Sequence, residues 1–565
     1  MSSPDGQDEA VSQEDARRLS RRQFISRGAA LGLTLPLAGG LLDACSSSGG
    51  GGTSSGGGGG SSKGIVVGLA TDIDTLDPIS FRSDAAYEAV MQVYEMPVDN
   101  AVARQDGILE GVAGRLVPEL ASTFSISPDA TVYRFKVRPN VKFTSGHPVT
   151  ADALNYSYRR ALEGPGYASA LMSLLTVTEA SQLVTTGPMT FEIHLAHPNP
   201  LGPELIPLTV LEVMDPAVSK QHATSSDPWA TSFYRTHMVG SGPYVQGTTW
   251  QSGNQYLLSR NPHYWNPGKV KNGGVLMKYL PSADDRALLL QQGSIDLAFG
   301  LPASKLHGLR GTKNVRLINV PSRNWNYLGM NNTMAPFNDV KVRQAIAYAL
   351  PYDTLIKSAL YGFASPLKGI VASSTPTASD SLWPYKTDLG KAKQLLSESS
   401  RPHGFHTSLA VQISSPNDLA SATYIQSALK QIGITVSITQ ESSAAFATKV
   451  DSGELPMFID YWFSWVDDPF YQMYWLLNSK NGGSGGTNVA KYSSSRMDAL
   501  ITSGLYDTNS SRRAATSRSV QQLFNDDVPY IPLYSENNAV ATGTSISGVN
   551  VFPDQYIRFW MLSKA

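Results

Sequence analysis

From Lys63 to the C-terminus, short runs of β-branched and aromatic residues alternate with longer amphipathic stretches. Ile65-Val66-Val67, Tyr133 to Val137, Thr190 to Leu195 and Val436 to Ile438 have strand composition, several with the two-residue alternation that turns one face inward. Val340 to Leu350, Asp388 to Leu396 and Ala420 to Ile432 carry apolar residues at helical spacing instead. In the second of these Ala392, Leu395 and Leu396 share one face. Clusters of proline and glycine at Pro198 to Pro207, Gly240 to Gly247, Asn261 to Gly274 and Asn481 to Gly486 predict loops. The pattern is that of a mixed α/β protein, without an internal repeat at a fixed period.

The chain has 565 residues. A single core stops growing at roughly 250 to 300 residues, so at least two domains are expected. Hydrophobic residues at 41% and charged residues at 16% suffice for globular cores. A formal net charge of −1 supplies no basic footprint for nucleic acid, and that class of partner is set aside. One cysteine supports neither a disulfide framework nor a paired-cysteine metal site.

That cysteine ends a distinct segment. Ser20-Arg21-Arg22-Gln23-Phe24-Ile25-Ser26 precedes a small, apolar run from Gly28 to Leu42, which closes on Leu42-Asp43-Ala44-Cys45. The order is charged, apolar, cleavage site. It resembles a twin-arginine signal joined to a lipobox, with Cys45 as the lipid-bearing first residue of the mature protein. Asp43 departs from the small or apolar residue usual at its position. The apolar run, about 15 residues, falls short of the ~20 that cross a bilayer as a helix. Residues 46–63, almost wholly Gly and Ser, read as a flexible tether. The expected location is therefore extracytoplasmic, on a lipid anchor at the cell surface or the periplasmic face.

Farther along, Pro118 to Ala121, Tyr133 to Phe143 and Gly146 to Ala153 resemble the signature of the family 5 extracellular solute-binding proteins, the peptide, dipeptide and nickel-chelate receptors of ABC importers. The resemblance continues in order through Gly240 to Tyr244, Asn261 to Trp265, Leu290 to Asp296, Tyr327 to Asn331, Pro336 to Ala345 and Pro529 to Tyr534. It implies an α/β fold of the type II periplasmic-binding-protein kind, two-lobed, with an extra subdomain and the ligand cleft at the hinge. Lobe I would be discontinuous, formed by residues 64–105, 236–324 and 528–565. The extra subdomain would take 106–235 and lobe II 325–527. The implied partners are a small peptide-like solute and the permease subunits of an importer, and the protein is expected to act as a monomer without a cofactor.

The stretch Tyr461 to Tyr471 is conspicuously aromatic and holds two adjacent acids. Rigid rings give contact area at small entropic cost, and carboxylates beside them can pair a cationic group. Trp462, Trp465, Asp467 and Asp468 are the binding candidates there, with core packing and an Asp-Pro turn as the competing reading. In the peptide receptors a Trp, two residues, then an acid that pairs the peptide amine occupy this place, followed by Asp-Pro. Alignment on Trp462 and Asp468-Pro469 sets Trp465 where that acid would be, with Asp467 two positions later. A neutral, sugar-like ligand stacked on Trp462 and Trp465 is thus a competitor to a peptide, as is a metal chelate. Trp325, Asn326 and Tyr327 at the first hinge crossing, Tyr534 at the second and Tyr167 in the extra subdomain complete the candidates. Arg343 is read as a helix residue that covers apolar surface with its stem while its head reaches water or a partner.

Other patterns carry less. Asp72, Asp74 and Asp77 lack the glycine and closing glutamate of a calcium loop and read as acceptors in a turn. His194 with His197, and His403 with His406, lack a third ligand at zinc spacing. Ser484 lies in a glycine run rather than a nucleophile elbow. No constellation for catalysis emerges, which leaves importer-coupled capture and peptide sensing by a lipoprotein as the functional readings.

Overall fold

The computed structural model describes residues 63–105 and 107–565. The arginine pair, Cys45 and nearly all of the tether lie outside the described residues. Two large sheets organise the chain. In the first the strand order is Val315–Val320, Asn538–Gly543, Leu297–Ala298, Ile65–Leu69, Gly274–Tyr279, Gln255–Arg260 and Tyr244–Gln251. Ile65–Leu69 runs parallel to both of its neighbours and is buried along nearly its whole length. This explains why it is an unbroken apolar run rather than an alternating one. The second sheet has the order Ala364–Ser365, Tyr530–Glu536, Trp325–Met330, Met457–Trp462, Phe405–Gln412 and Ile434–Glu441. Helix Pro416–Lys430 connects its last two strands, which are parallel, and turns Ala422, Ile425 and Leu429 into the core.

A third, four-stranded antiparallel sheet holds Ala121–Ile126, Val132–Val137, Thr190–His194 and Leu183–Gly187 in that order. Val132–Val137 buries alternate residues, as its two-residue period requires of a sheet with one wet face. Helix Ala151–Glu163 covers the other face and carries Arg160 inward. There the guanidinium is fully buried and makes two 2.8 Å hydrogen bonds to Asp77. Asp77 accepts from the Ile79 N–H at 3.2 Å, the turn-acceptor role expected of it, and is in addition the counter-ion that lets the subdomain helix dock on lobe I.

Sheet membership is specific near two of the expected boundaries. Ile108–Pro118 pairs with Val98–Gln105 and with Asn550–Val551, all outside the four-stranded sheet, so that sheet begins at Ala121. Tyr530–Glu536 belongs to the second sheet, between Ala364–Ser365 and Trp325–Met330, and the return to the first sheet falls at Asn537. Within Gly240 to Gly247, expected to be loop, a strand starts at Tyr244. Gly240 and Gly242 are pressed against the carbonyl of Val93 where a side chain would stand, and the Gly242 N–H donates to that carbonyl at 2.9 Å.

Several stretches that carry the family resemblance meet in space. The carboxylate of Glu95 accepts from Ser241 Oγ at 2.8 Å, Tyr264 OH at 2.9 Å and Trp265 Nε1 at 3.0 Å, tying the Gly240 and Asn261 segments together. Burial, reinforced by neighbouring Glu119, pushes that carboxyl well above its ordinary range. Arg343 is structural, as expected, and of the two destinations read for its head it takes a partner. Its head is buried and donates to the carbonyls of Phe337 at 2.8 Å, Val528 at 3.0 Å and Asp527, so it gathers backbone rather than reaching water. Among the described residues no helix is long and apolar enough to cross a membrane.

The Asp77–Arg160 pair gives the first prediction. Asp77→Ala strands a guanidinium in a dry site and should lower stability by about 3 to 5 kcal/mol. Denaturant titration of the variant, followed by far-ultraviolet circular dichroism, measures this.

Candidate ligand site

Strand Met457–Trp462 pairs along its length with Trp325–Met330 and ends with Trp462 opposite Trp325. The chain then turns through residues 463–468, where Ser464 Oγ donates to the Val466 carbonyl at 2.9 Å, and enters helix Pro469–Leu477. Asp468 begins that helix with its side chain accepting from Phe470 N–H at 2.8 Å, and proline follows at the first helical position. The turn therefore lies at the carboxyl end of a sheet strand, where open α/β sheets place ligand-binding loops.

This loop crosses to the other lobe. The Trp465 ring, 8% exposed, lies 5.5 Å from Tyr167 in the extra subdomain and 6.2 Å from Tyr87 in lobe I. Phe463 lies 5.7 Å from Tyr556, which stacks on Tyr87 at 4.0 Å, and Phe81 packs edge-on against both Tyr87 and Tyr167. The result is an aromatic enclosure with walls from both lobes and from the subdomain. Trp462 is half-buried, and its indole N–H has no acceptor among the described residues.

Charged groups border the rings. Arg323, on the first hinge crossing, sets its Nε 3.6 Å from Asp467 Oδ1, too far for a hydrogen bond and close enough for an ion pair. The Asp467 N–H donates to Glu204 Oε2 at 2.6 Å. Burial raises the Asp467 carboxyl above its usual range against the opposing pull of Arg323. Burial also lifts Glu204 to about 7; the charges of Asp467 and Asp468 act in the same direction, and the Asp467 N–H and Arg323 oppose.

The sequence candidates separate into two groups. Trp465, Asp467 and Tyr167 come together at the junction between lobes, and Trp462 stands at the foot of the same loop. Trp325, Asn326, Tyr327, Tyr534 and Asp468 have their polar groups engaged inside lobe II instead. Trp325 is fully buried, donates its indole N–H to the Gly369 carbonyl at 2.8 Å and packs on Tyr327, Phe524 and Tyr530. Asn326 Oδ1 accepts from Glu536 N–H at 3.2 Å, Tyr327 OH donates to Asp460 at 3.3 Å, and Tyr534 OH bonds Ser421 Oγ at 2.9 Å. Asp468 makes two bonds to Arg513, at 2.6 and 2.8 Å, besides capping its helix. These five hold the lobe II sheet and helix Pro469–Leu477 in place. For the four hinge residues the physical reason is that the crossing strands run through the middle of the sheet, where side chains face helices rather than the cleft.

Phe81, Tyr87, Tyr556, Glu204 and Arg323 were not singled out from the sequence. Tyr87 lies on a helix among apolar residues and resembles core, and Glu204 follows a Gly-Pro pair that resembles an ordinary turn. Arg323 alone carried a signal, because it stands two residues before Trp325 at an expected crossing. A separate groove of about 520 Å³ opens on lobe II, lined by Tyr352, Leu367, Trp383 and Tyr385 together with Lys368 and Lys386. It shares no residue with the enclosure.

Two lobes joined at a double crossing, with a mixed aromatic and charged site between them, define a type II solute-binding protein. Residues 115–484 match the bacterial extracellular solute-binding proteins, family 5 Middle, and the chain belongs to that family. It is 29% identical over 492 residues to the probable D,D-dipeptide-binding periplasmic protein DdpA of Escherichia coli K12, covering 86% of this chain and 90% of that one. It is 26% identical over 511 residues to the glutathione-binding protein GsiB of Shigella dysenteriae, covering 88% and 94%. In structure it is similar to the ABC transporter-associated periplasmic binding protein DppA from Helicobacter pylori, solved with the peptide STSA. The TM-score is 0.76 at 23% identity, over 88% of this chain and 98% of that one.

The separation of Asp467 from Asp468 is testable. Asp468→Ala should lose the helix cap, about 1 kcal/mol, and leave half-buried Arg513 unpaired, for a total of about 2 to 3 kcal/mol. Asp467→Ala should change stability by less than about 1 kcal/mol. Thermal and denaturant melts of the two variants beside the native protein distinguish them.

Proposed function

We propose that the protein is the extracytoplasmic substrate-binding component of an ABC importer, capturing an oligopeptide or peptide-like solute as lobe II closes on lobe I. The reading is carried by one observation: the loop 463–468 brings Trp465 and Asp467 from lobe II against Tyr87, Tyr167 and Glu204 on the facing side. A site divided in this way is complete only when the lobes are together, which couples capture to a shape that a permease can recognise. Trp462, Trp465 and Tyr167 would contact the body of the solute, and Asp467 would pair a cationic end in place of the acid whose position Trp465 takes. The names of the dipeptide- and glutathione-binding relatives support a peptide-like ligand.

The offset of Asp467 favours a second reading, a neutral oligosaccharide or a chelate held by stacking. A thermal-shift screen followed by calorimetry, with short peptides, cello- and malto-oligosaccharides and nickel chelates, separates the two, since a ligand that binds only the native state raises the melting temperature. A peptide hit is expected. Trp465→Ala should weaken it roughly 30-fold or more, the loss of about 2 kcal/mol typical of a buried aromatic anchor, and Asp467→Ala should weaken peptides selectively. Sugar binding that is lost with Trp462 or Trp465 and indifferent to Asp467→Ala would replace the peptide reading.

The N-terminal segment supports export through a twin-arginine signal and lipidation at Cys45, with residues 46–63 as a spacer that lets a monomeric body reorient above the membrane. Cys45→Ser should move the protein from the membrane fraction to the soluble extracytoplasmic fraction and abolish labelling by radioactive palmitate.

A further inference from the structure

Glu204 is an acid at the junction contributed by the extra subdomain rather than by lobe II. It sits in the short helix Gly202–Leu205, and its Oε2 accepts the N–H of Asp467, 263 positions away in sequence. Of the two aspartates beside it, Asp468 is held by Arg513 at 2.6 Å and Asp467 faces Arg323 at 3.6 Å. Glu204 thus reaches the backbone of the loop while the side chains of that loop are directed elsewhere. The subdomain and lobe II touch again where Tyr506 OH donates to the Leu174 carbonyl at 3.4 Å and the His197 ring packs edge-on to Tyr506 at 4.4 Å. Both contacts bridge bodies that the hinge would separate.

We propose that Glu204 is the positioning residue through which the extra subdomain takes part in capture. On closure its carboxyl group receives the Asp467 N–H and fixes the loop 463–468 over the solute, and on opening it releases that loop to water. The proposal rests on the loop's being part of the solute site, and it is independent of which solute is bound. An oxygen accepting a backbone N–H orients a loop without contributing to ligand selectivity, because the bond is to main chain and is the same whatever lies beneath.

A consequence for pH follows from the same geometry. In the closed form Glu204 titrates at about 7, against an ordinary value of 4.5, with burial as the largest cause. Opening would withdraw the loop 463–468 from the group and expose it to water, which lowers its pKa toward the ordinary value. A carboxyl group whose closed-state pKa is the higher one binds a proton on closure. Closure is therefore favoured at low pH and weakens as pH rises between the two values, at up to about tenfold per pH unit, then levels off. Asp467, Asp468 and Arg323 are the charged groups that face Glu204.

The test uses the full-length, solute-free protein from about pH 5 to about pH 8, with small-angle X-ray scattering for lobe separation and amide hydrogen exchange, corrected for intrinsic rate, for the Asp467 N–H. The native protein should expand with rising pH and lose Asp467 protection over the same range. Glu204→Gln keeps an acceptor oxygen and removes the ionisation, so it should stay compact and protected throughout. Glu204→Ala removes both and should lose Asp467 protection at every pH. A native-like pH response in Glu204→Gln, which would place it on Asp467, itself raised by burial, overturns the proposal, as does unaltered Asp467 protection in Glu204→Ala. Should the alanine variant fail to fold, the comparison of native protein with Glu204→Gln decides alone. Because no solute is added, failure here is separate from failure of the peptide reading, which would appear in the binding screen.

Discussion

The architecture depends on two thin crossings between the large sheets, at residues 321–324 and at Asn537. They are fastened to each other. Ser535 Oγ donates to the Ser322 carbonyl at 3.1 Å, and Asn537 Nδ2 donates to Asn319 Oδ1 at 3.0 Å. The Asn537 side-chain oxygen accepts from Ser365 Oγ at 2.7 Å, and the Asn537 N–H donates to the Phe363 carbonyl at 3.1 Å. Short hydroxyl and amide side chains bind the strands without filling the space between lobes. The pivot is thus narrow and polar, and the wide apolar surfaces lie on either side of it. This arrangement permits the lobes to rotate while each keeps its own core.

Around that pivot the site combines two kinds of interaction with different reach. The rings of Trp465, Tyr87, Tyr167 and Phe463 with Tyr556 give closure a non-directional, area-proportional attraction. Arg323, Asp467 and Glu204 add directional terms that tolerate little displacement. Buried charges are stabilising only when their partners are well placed. The ring packing brings the loop near, and the polar groups determine how it sits. Asp468 and Arg513 belong to neither set; they anchor the helix from which the loop departs.

The sequence revealed those parts of this arrangement that are local. Val132–Val137 was readable from its alternation, Leu389–Ser397 from its apolar face, and helix Pro469–Leu477 could have been placed from Asp468-Pro469 as an N-cap followed by proline. The aromatic loop was visible by composition, and the family resemblance implied a second lobe facing it across a cleft. What stayed hidden depends on distant pairing. Nothing near Glu204 in sequence distinguishes it from a solvated acid, and only the fold brings it against Asp467. Trp325 and Trp465 are both tryptophans beside an expected cleft, yet one is sealed between strands and helices while the other projects from a turn. That difference rests on position: Trp325 begins a strand inside the sheet, and Trp465 lies three residues beyond the end of one.

The placement of the last strands also bears on how the chain reaches its native state. Tyr530–Glu536 lies inside the lobe II sheet, between Ala364–Ser365 and Trp325–Met330, and Asn538–Gly543 lies inside the lobe I sheet, between Val315–Val320 and Leu297–Ala298. Each lobe therefore waits for the C-terminal end of the polypeptide before its sheet is continuous. Contacts so remote in sequence make for slow acquisition of structure, with unpaired strand edges open to misassociation until synthesis is nearly finished. Both lobes should become protease-resistant together and late, rather than one after the other as the ribosome advances.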